Sequence, residues 1–154
     1  MKYLKLYEAF SGIRFVEGNS GGFKKILCFN NDERVGFSIY EIYSKEEGNI
    51  IINNYVTKDI YDKITENIEK FGIVLGIEIY KEFQNLKFGK ELFIETLKII
   101  KSNGCNFILV EAEPLGSKTK SINELTEWYK SFGFEMLTNN PHSKIDNIMI
   151  KYLN

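Results

Sequence analysis

One stretch constrains this chain of 154 residues more than any other. "IVLGIEIY", Ile73–Tyr80, runs through a short turn into "FGKELFIETLKIIKSNG", Phe88–Gly104, and then into "CNFILVEAE", Cys105–Glu113. The first segment reads as a strand. In the second, Leu92, Thr96, Leu97 and Ile100 line one helical face, while Glu91, Glu95 and Lys98 lie on others and Gly104 suits the stop. The third is an almost unbroken apolar run, as expected of a strand covered on both faces. A strand, a helix and a strand in this order imply a right-handed crossover and a parallel strand pair.

The flanking segments fill out a mixed α/β domain with one central sheet. "KYLKLY" (Lys2–Tyr7) and "GIRFVEG" (Gly12–Gly18) read as strands and "EGNSGG" (Glu17–Gly22) as a loop. "FKKILCF" and "RVGFSIYEIY", separated by "NNDE", read as a hairpin. "SKEEGN" (Ser44–Asn49) reads as a turn. "TKDIYDKITENIEKFG" (Thr57–Gly72) is predicted to be one helix, capped by Thr57 and ended by Gly72. "SINELTEWYKSF" is a helix with a capping box from Ser121 to Glu124 and a stop at Gly133. "FEML" and "NIMIKYL" close the chain as strands around the turn "TNNPHSKID", where His142, the one histidine, reads as a solvated loop residue.

The totals exclude several classes. With 44% hydrophobic residues and 14% aromatic, the chain can bury a core as a single domain over 1–154. A formal charge of −1 gives no basic surplus for nucleic acid or an anionic membrane. No apolar run approaches the roughly 20 residues of a membrane helix, and the start lacks the apolar core of a secretory signal. Cys28 and Cys105 stand far apart, so the expectation is no metal site, no disulfide framework and a reducing cytoplasm.

The turn "QNLKFGK", Gln84–Lys90, opens onto the first amides of a helix, which have no intrahelical partner and lie at the positive end of the dipole. A strand leading into such a terminus makes an anion site. Gly89 permits close backbone approach, and Gln84, Lys87 and Lys90 add donors and charge. A pyrophosphate suits this place.

The residues "IYKEFQNLKFGKEL" resemble the strand–turn–helix motif of the GNAT superfamily of acyl-CoA-dependent N-acetyltransferases, written (R/Q)-x-x-G-x-(G/A). Gln84 fills the first position, Lys87 replaces the first glycine, and Gly89 fills the last. Ile77 and Ile79 sit where the family's fourth strand carries an aliphatic pair, with Phe83 at its usual aromatic. "LTEWYKSFGF" resembles the family's A-x-x-(F/L)-Y-x-x-x-G-F segment through Tyr129, Gly133 and Phe134, with Trp128 in the preceding aromatic slot and Leu125 at the alanine. "ERVGFSIY" is similar to the second-to-third strand hairpin. Together these cover about two-thirds of the chain. The family's usual asparagine before the second segment is Ile122 here, and residues 8–22 are too short for the two helices that usually follow its first strand.

The resemblance implies a GNAT-like single sheet flanked by helices, with a reduced N-terminal helical region. It implies acetyl-CoA between splayed fourth and fifth strands, its pantetheine arm on backbone near Ile77 and Ile79 and its pyrophosphate on Leu86, Lys87, Phe88, Gly89 and Lys90, with Gln84 and Asn85 beside it. It further implies direct transfer of the acetyl group to a primary amine, with Tyr129 as general acid. Glu78 is the first choice for the base and Glu111 the second, and Glu113 shares the face of Glu111 by strand alternation. These carboxylates favour a cationic acceptor. The rival readings are acetylation of charged tRNA, a non-catalytic acyl-CoA-binding or protein-interaction domain of the same fold, and a generic α/β domain that ignores coenzyme A. A homodimer through "NIMIKYL" as an edge strand is a further expectation.

Overall fold

The hairpins form because short polar turns interrupt runs rich in Val, Ile, Phe and Tyr. In the computed structural model, whose described residues are 12–51, 55–84, 86–112, 121–137 and 147–153, β1 (Ile13–Ser20), β2 (Phe23–Asn30) and β3 (Glu33–Ser44) pair antiparallel in sequence. The stretch expected as a loop, Glu17–Gly22, is mostly strand. Only Gly21 and Gly22 turn, both at positive φ (59° and 87°), which is what a two-residue type I′ hairpin requires.

After β3 come two short helices, α1 (Lys45–Ile51) and α2 (Lys58–Ile64), then β4 (Lys70–Ile79). Both correct the sequence reading. "SKEEGN" is not a turn but the start of α1: the Ser44 amide donates to Glu47 Oε1 and the Glu47 amide to Ser44 Oγ, each at 3.2 Å. This is a reciprocal capping box, and the S-x-x-E spacing announces it. The predicted helix over 57–72 ends at Ile64, where Thr65 caps it by donating its amide and its hydroxyl to Tyr61 O. Phe71 and Gly72 belong to β4, buried where β4 meets its neighbour.

A single-turn 3₁₀ helix (Lys81–Phe83) leads to α3 (Phe88–Ser102). Then follow β5 (Phe107–Glu111), α4 (Ile122–Lys130), the two-residue β6 (Glu135–Met136) and β7 (Ile148–Tyr152). The result is one mixed seven-stranded sheet in the order β1-β2-β3-β4-β5-β7-β6, flanked by helices. The parallel register of β4 and β5 runs from Gly72–Ile108 to Val74–Val110 and stops there, although β4 continues to Ile79. β7 is not an edge: it lies between β5 and β6, and Ile148, Met149 and Ile150 are buried. The expected strand Lys2–Tyr7, the loop after Ala112 and His142 fall outside the described residues.

By internal packing the chain divides into two units, Met1–Glu41 with Leu75–Ile99, and Ile42–Val74 with Ile100–Asn154. In the first, Ile26 and Cys28 alternate inward from β2, and Val35, Phe88, Leu92 and Phe93 are also buried. One polar pair is sealed within it. Ser38 Oγ lies 2.7 Å from Thr96 Oγ1, and Thr96 Oγ1 donates to Leu92 O at 2.8 Å. In the second unit, Phe71 and Phe107 stack at 5.0 Å between centroids, with Tyr61 and Tyr43 against Phe71. No helix among the described residues is long and apolar enough to cross a membrane.

Candidate active site

The mouth of α3 lies wholly in the first unit. The first intrahelical bond runs from the Glu91 amide to Lys87 O at 3.2 Å, which makes Lys87 the N-cap. The amides of Phe88, Gly89 and Lys90 therefore have no helical acceptor, and among the described residues no side chain accepts from them. Lys87 stands where the GNAT motif carries glycine, and its φ is +68°. The backbone keeps the left-handed shape that glycine adopts freely, at a cost of about 1–2 kcal/mol for a residue with a Cβ. Lys87→Gly is accordingly expected to raise stability in urea by about 1 kcal/mol while leaving the turn intact. A loss of stability would show that the lysine side chain holds the turn.

Gly89 is different. Among the described residues a Cβ there would meet only Ile79 Cγ1, at an ordinary 3.6 Å, and its φ is not positive, so none of them demands glycine at 89. Gln84 was expected to donate to an anion, but its Nε2 donates to Ile79 O at 3.0 Å. It thereby ties the turn back to the strand that enters it, with the Phe83 and Phe88 rings edge to face at 6.1 Å. Leu86, Lys87 and Lys90 are exposed. Asn85 lies outside the described residues.

On β4, Ile77 and Ile79 are half-buried, and Ile79 reaches towards Gly36 and Gly89. Glu78, between them, is exposed and by alternation shares the opposite face with Tyr80. The Tyr80 ring lies 6.4 Å from that of Phe37. Gly36 sits against the same strand end: a Cβ would collide with the Glu78 carbonyl oxygen and come within 2.8 Å of Ile79 Cδ1.

Tyr129 belongs to the second unit. Ser121 Oγ caps α4 by accepting from the Glu124 amide at 3.2 Å, and Glu124 Oε1 takes the serine hydroxyl in return. At the other end the Phe134 amide donates to Tyr129 O at 3.3 Å and the Gly133 amide to Lys130 O at 2.9 Å. That is a Schellman motif, and Gly133 at φ +93° is the left-handed residue it needs. The motif folds Phe134 back to 6.0 Å from the Tyr129 ring, with Trp128 on another side at 5.3 Å. Burial pushes the Tyr129 phenol above its ordinary value, which favours the protonated form an acid needs.

Glu111 ends β5 opposite Ile148 and is half-buried. Its neighbour, not picked out from the sequence, is Tyr55, whose phenol is pushed up first by burial and then by the Glu111 carboxylate. Glu113 lies outside the described residues. Cys28 takes no part: burial first, then Glu91, pushes its thiol up to about 11. Among the described residues, no cluster of three His, Cys, Asp or Glu is placed to hold a metal ion.

No protein-family model matches the sequence, and no curated protein matches it. Solved structures match the backbone. A variant of the toxin AtaT, bound to the C-terminus of the antitoxin AtaR and to acetyl-CoA, matches with TM-score 0.55 and 14% identity over 84% of this chain and 68% of that one. The PaiA N-acetyltransferase of Thermoplasma acidophilum, in complex with coenzyme A, gives 0.52 and 18% identity over 84% and 60%. A protein from Desulfovibrio desulfuricans assigned to the GNAT family of acetyltransferases gives 0.51 and 13% identity over 83% and 65%. The chain has the GNAT fold. It spans 60% to 68% of the length of these three GNAT-fold chains. Its helices α1 and α2 lie between the third and fourth strands of the described GNAT sheet, and a two-residue hairpin joins the first and second.

Proposed function

We propose that this chain is an N-acetyltransferase of the GNAT superfamily, working as one domain, which moves the acetyl group of acetyl-CoA to a primary amine of a small molecule, peptide or protein. One observation carries the reading: at the mouth of α3, three free amides follow an N-cap held left-handed, and the second amide belongs to a glycine that none of the described residues requires. A helix entrance whose second residue lacks a Cβ suits a ligand whose oxygens approach the backbone there, as a pyrophosphate does. The GNAT fold and the two sequence segments around Gln84–Gly89 and Tyr129–Phe134 support the same reading.

In this account Phe88, Gly89 and Lys90 bind the pyrophosphate through their amides, with Leu86 and Lys87 beside them. Gln84 positions the turn, and the backbone near Ile77 and Ile79 binds the pantetheine arm. The thioester supplies an activated acetyl carbonyl. The incoming ammonium loses a proton to Glu78, directly or through water, with Glu111 the second candidate. The amine nitrogen then bonds to the carbonyl carbon, and backbone N–H of β4 stabilises the oxyanion. The C–S bond breaks, the departing thiolate takes the Tyr129 proton, and the tyrosinate takes the second proton from the nitrogen that has become the amide. The products are an amide and coenzyme A.

Titration calorimetry with acetyl-CoA tests the binding step, with Gly89→Ala as the informative variant. The variant is expected to melt no lower than wild type, since among the described residues the added methyl meets only Ile79, and to bind about tenfold more weakly. No heat with wild-type protein ends the proposal. Binding without thiol release across a panel of amines makes the chain a non-catalytic acyl-CoA-binding domain instead.

A further inference from the structure

The face of the sheet that carries Glu78 also bears two cations from neighbouring strands. In the first unit, β2 and β3 pair Lys25 with Ile39, Leu27 with Phe37 and Phe29 with Arg34, so these six residues share one face of the sheet. Lys25 Nζ sits 4.1 Å from the centroid of the Phe37 ring. The Arg34 guanidinium lies 5.6 Å from the same centroid and 5.8 Å from that of Tyr80. Tyr80, extended and just past the end of β4, is two residues from Glu78, about 7 Å at strand spacing. Both cations are thus parked on rings next to the strand that bears the candidate base. Among the described residues, the ion pairs are Lys58–Asp62 and Lys130–Glu127, so neither Lys25 nor Arg34 has a carboxylate partner.

Two unpaired cations held on aromatic faces are preorganised for an oxyanion. The rings restrict the long side chains before a ligand arrives, so less rotamer freedom is lost on binding. The planar fork of Arg34 suits a carboxylate or a phosphate. The rings themselves already face their own cations and are poor platforms for a further stacked group. Glu78, on the same face, suits an ammonium. The cluster is therefore complementary to a short zwitterion, one end cationic and the other anionic.

We propose that the acetyl acceptor is a small primary amine bearing a carboxylate or phosphate a few bonds from its nitrogen, with the amine at Glu78 and the oxyanion at Lys25 and Arg34. This rests on the acetyltransferase reading and narrows its substrate class. It also replaces the expectation of a plainly cationic acceptor.

Matched amines test it. With saturating acetyl-CoA, β-alanine is compared with aminopropanol, and O-phosphoethanolamine with ethanolamine. The anionic member of at least one pair is expected to have a kcat/KM about tenfold higher. The preference should collapse in Lys25→Gln/Arg34→Gln, whose solvent-side changes leave the core alone. The pair with the larger ratio tells carboxylate from phosphate. Equal use of both members, or a preference that survives in the double variant, overturns the inference and leaves the acetyltransferase reading standing. The binding readout is independent of turnover: O-phosphoethanolamine added to protein alone should move the NMR signals of Arg34 and Tyr80, and ethanolamine should not. Such shifts without acetylation of any amine keep the anion site and end the acetyltransferase reading. Neither shifts nor turnover overturns both.

Discussion

Tyr129→Phe should lower kcat for acetyl transfer by about 100-fold while leaving the Kd for acetyl-CoA within about twofold, because general acid catalysis contributes roughly that factor or more and the ring itself is kept. The ring is held from its sides by neighbouring rings. The Schellman bonds at Phe134 and Gly133 close α4 through main-chain groups, and Trp128 and Phe134 meet the ring edge to face. Phenylalanine should therefore keep the ring packing and remove the hydroxyl that carries the proton. The pH profile gives a second check. Burial raises the Tyr129 pKa, so the phenol stays protonated to higher pH than a free tyrosine, and the alkaline limb of kcat should lie above the ordinary tyrosine value. That limb should disappear in the variant. Unchanged kcat would move the proton donor elsewhere, and a limb below the ordinary tyrosine value would contradict the burial.

Gly36→Ala is expected to destabilise the protein by about 2–3 kcal/mol, read as a fall in the urea midpoint at unchanged slope. The added Cβ collides with the Glu78 carbonyl oxygen, which is main chain and cannot swing aside, while Ile79 Cδ1 at 2.8 Å could. Shortening that side chain with Ile79→Val should therefore restore little. The register adds to the constraint: Gly36 faces Cys28 immediately before the β2–β3 pairing shifts at Phe29, so β3 has no slack there. Because the displaced backbone is that of Glu78 and Ile79, the folded variant should also lose affinity for acetyl-CoA. A stable variant with normal binding would mean that β3 and β4 can part at this point without cost.

Much of this was legible in the sequence. The central strand, helix and strand were read from the Ile73–Glu113 pattern, and the parallel pair they imply is present between Gly72 and Val74. The capping box at Ser121 and the stop at Gly133 were read from local chemistry and hold because both act within one turn. The helix over 57–72 was overextended for a physical reason. Ile60, Ile64, Ile68 and Phe71 do repeat at helical spacing, but Phe71 gains more by stacking on Phe107, a partner far along the chain that periodicity cannot see. The reverse error at Ser44–Asn49 came from weighing Gly48 and Asn49 as turn formers over the S-x-x-E spacing. At the candidate site, the glycine and the amides were legible, whereas the partner of Gln84 and the cluster of Lys25, Arg34, Phe37 and Tyr80 depend on strand register. No local motif carries that information.

The sealed hydroxyls of Ser38 and Thr96 bear on the site from a distance. Thr96 already gives its proton to Leu92 O, so the proton between the two oxygens must come from Ser38. Thr96 lies seven residues beyond Gly89, about two helical turns or ~10 Å behind the mouth. If α3 slid or rolled against β3 by even one residue, the serine would be left with a dry, unanswered donor. The proposed anchor for the coenzyme is thus bolted from the rear, and two small side chains with no chemistry of their own set how far forward the helix can stand.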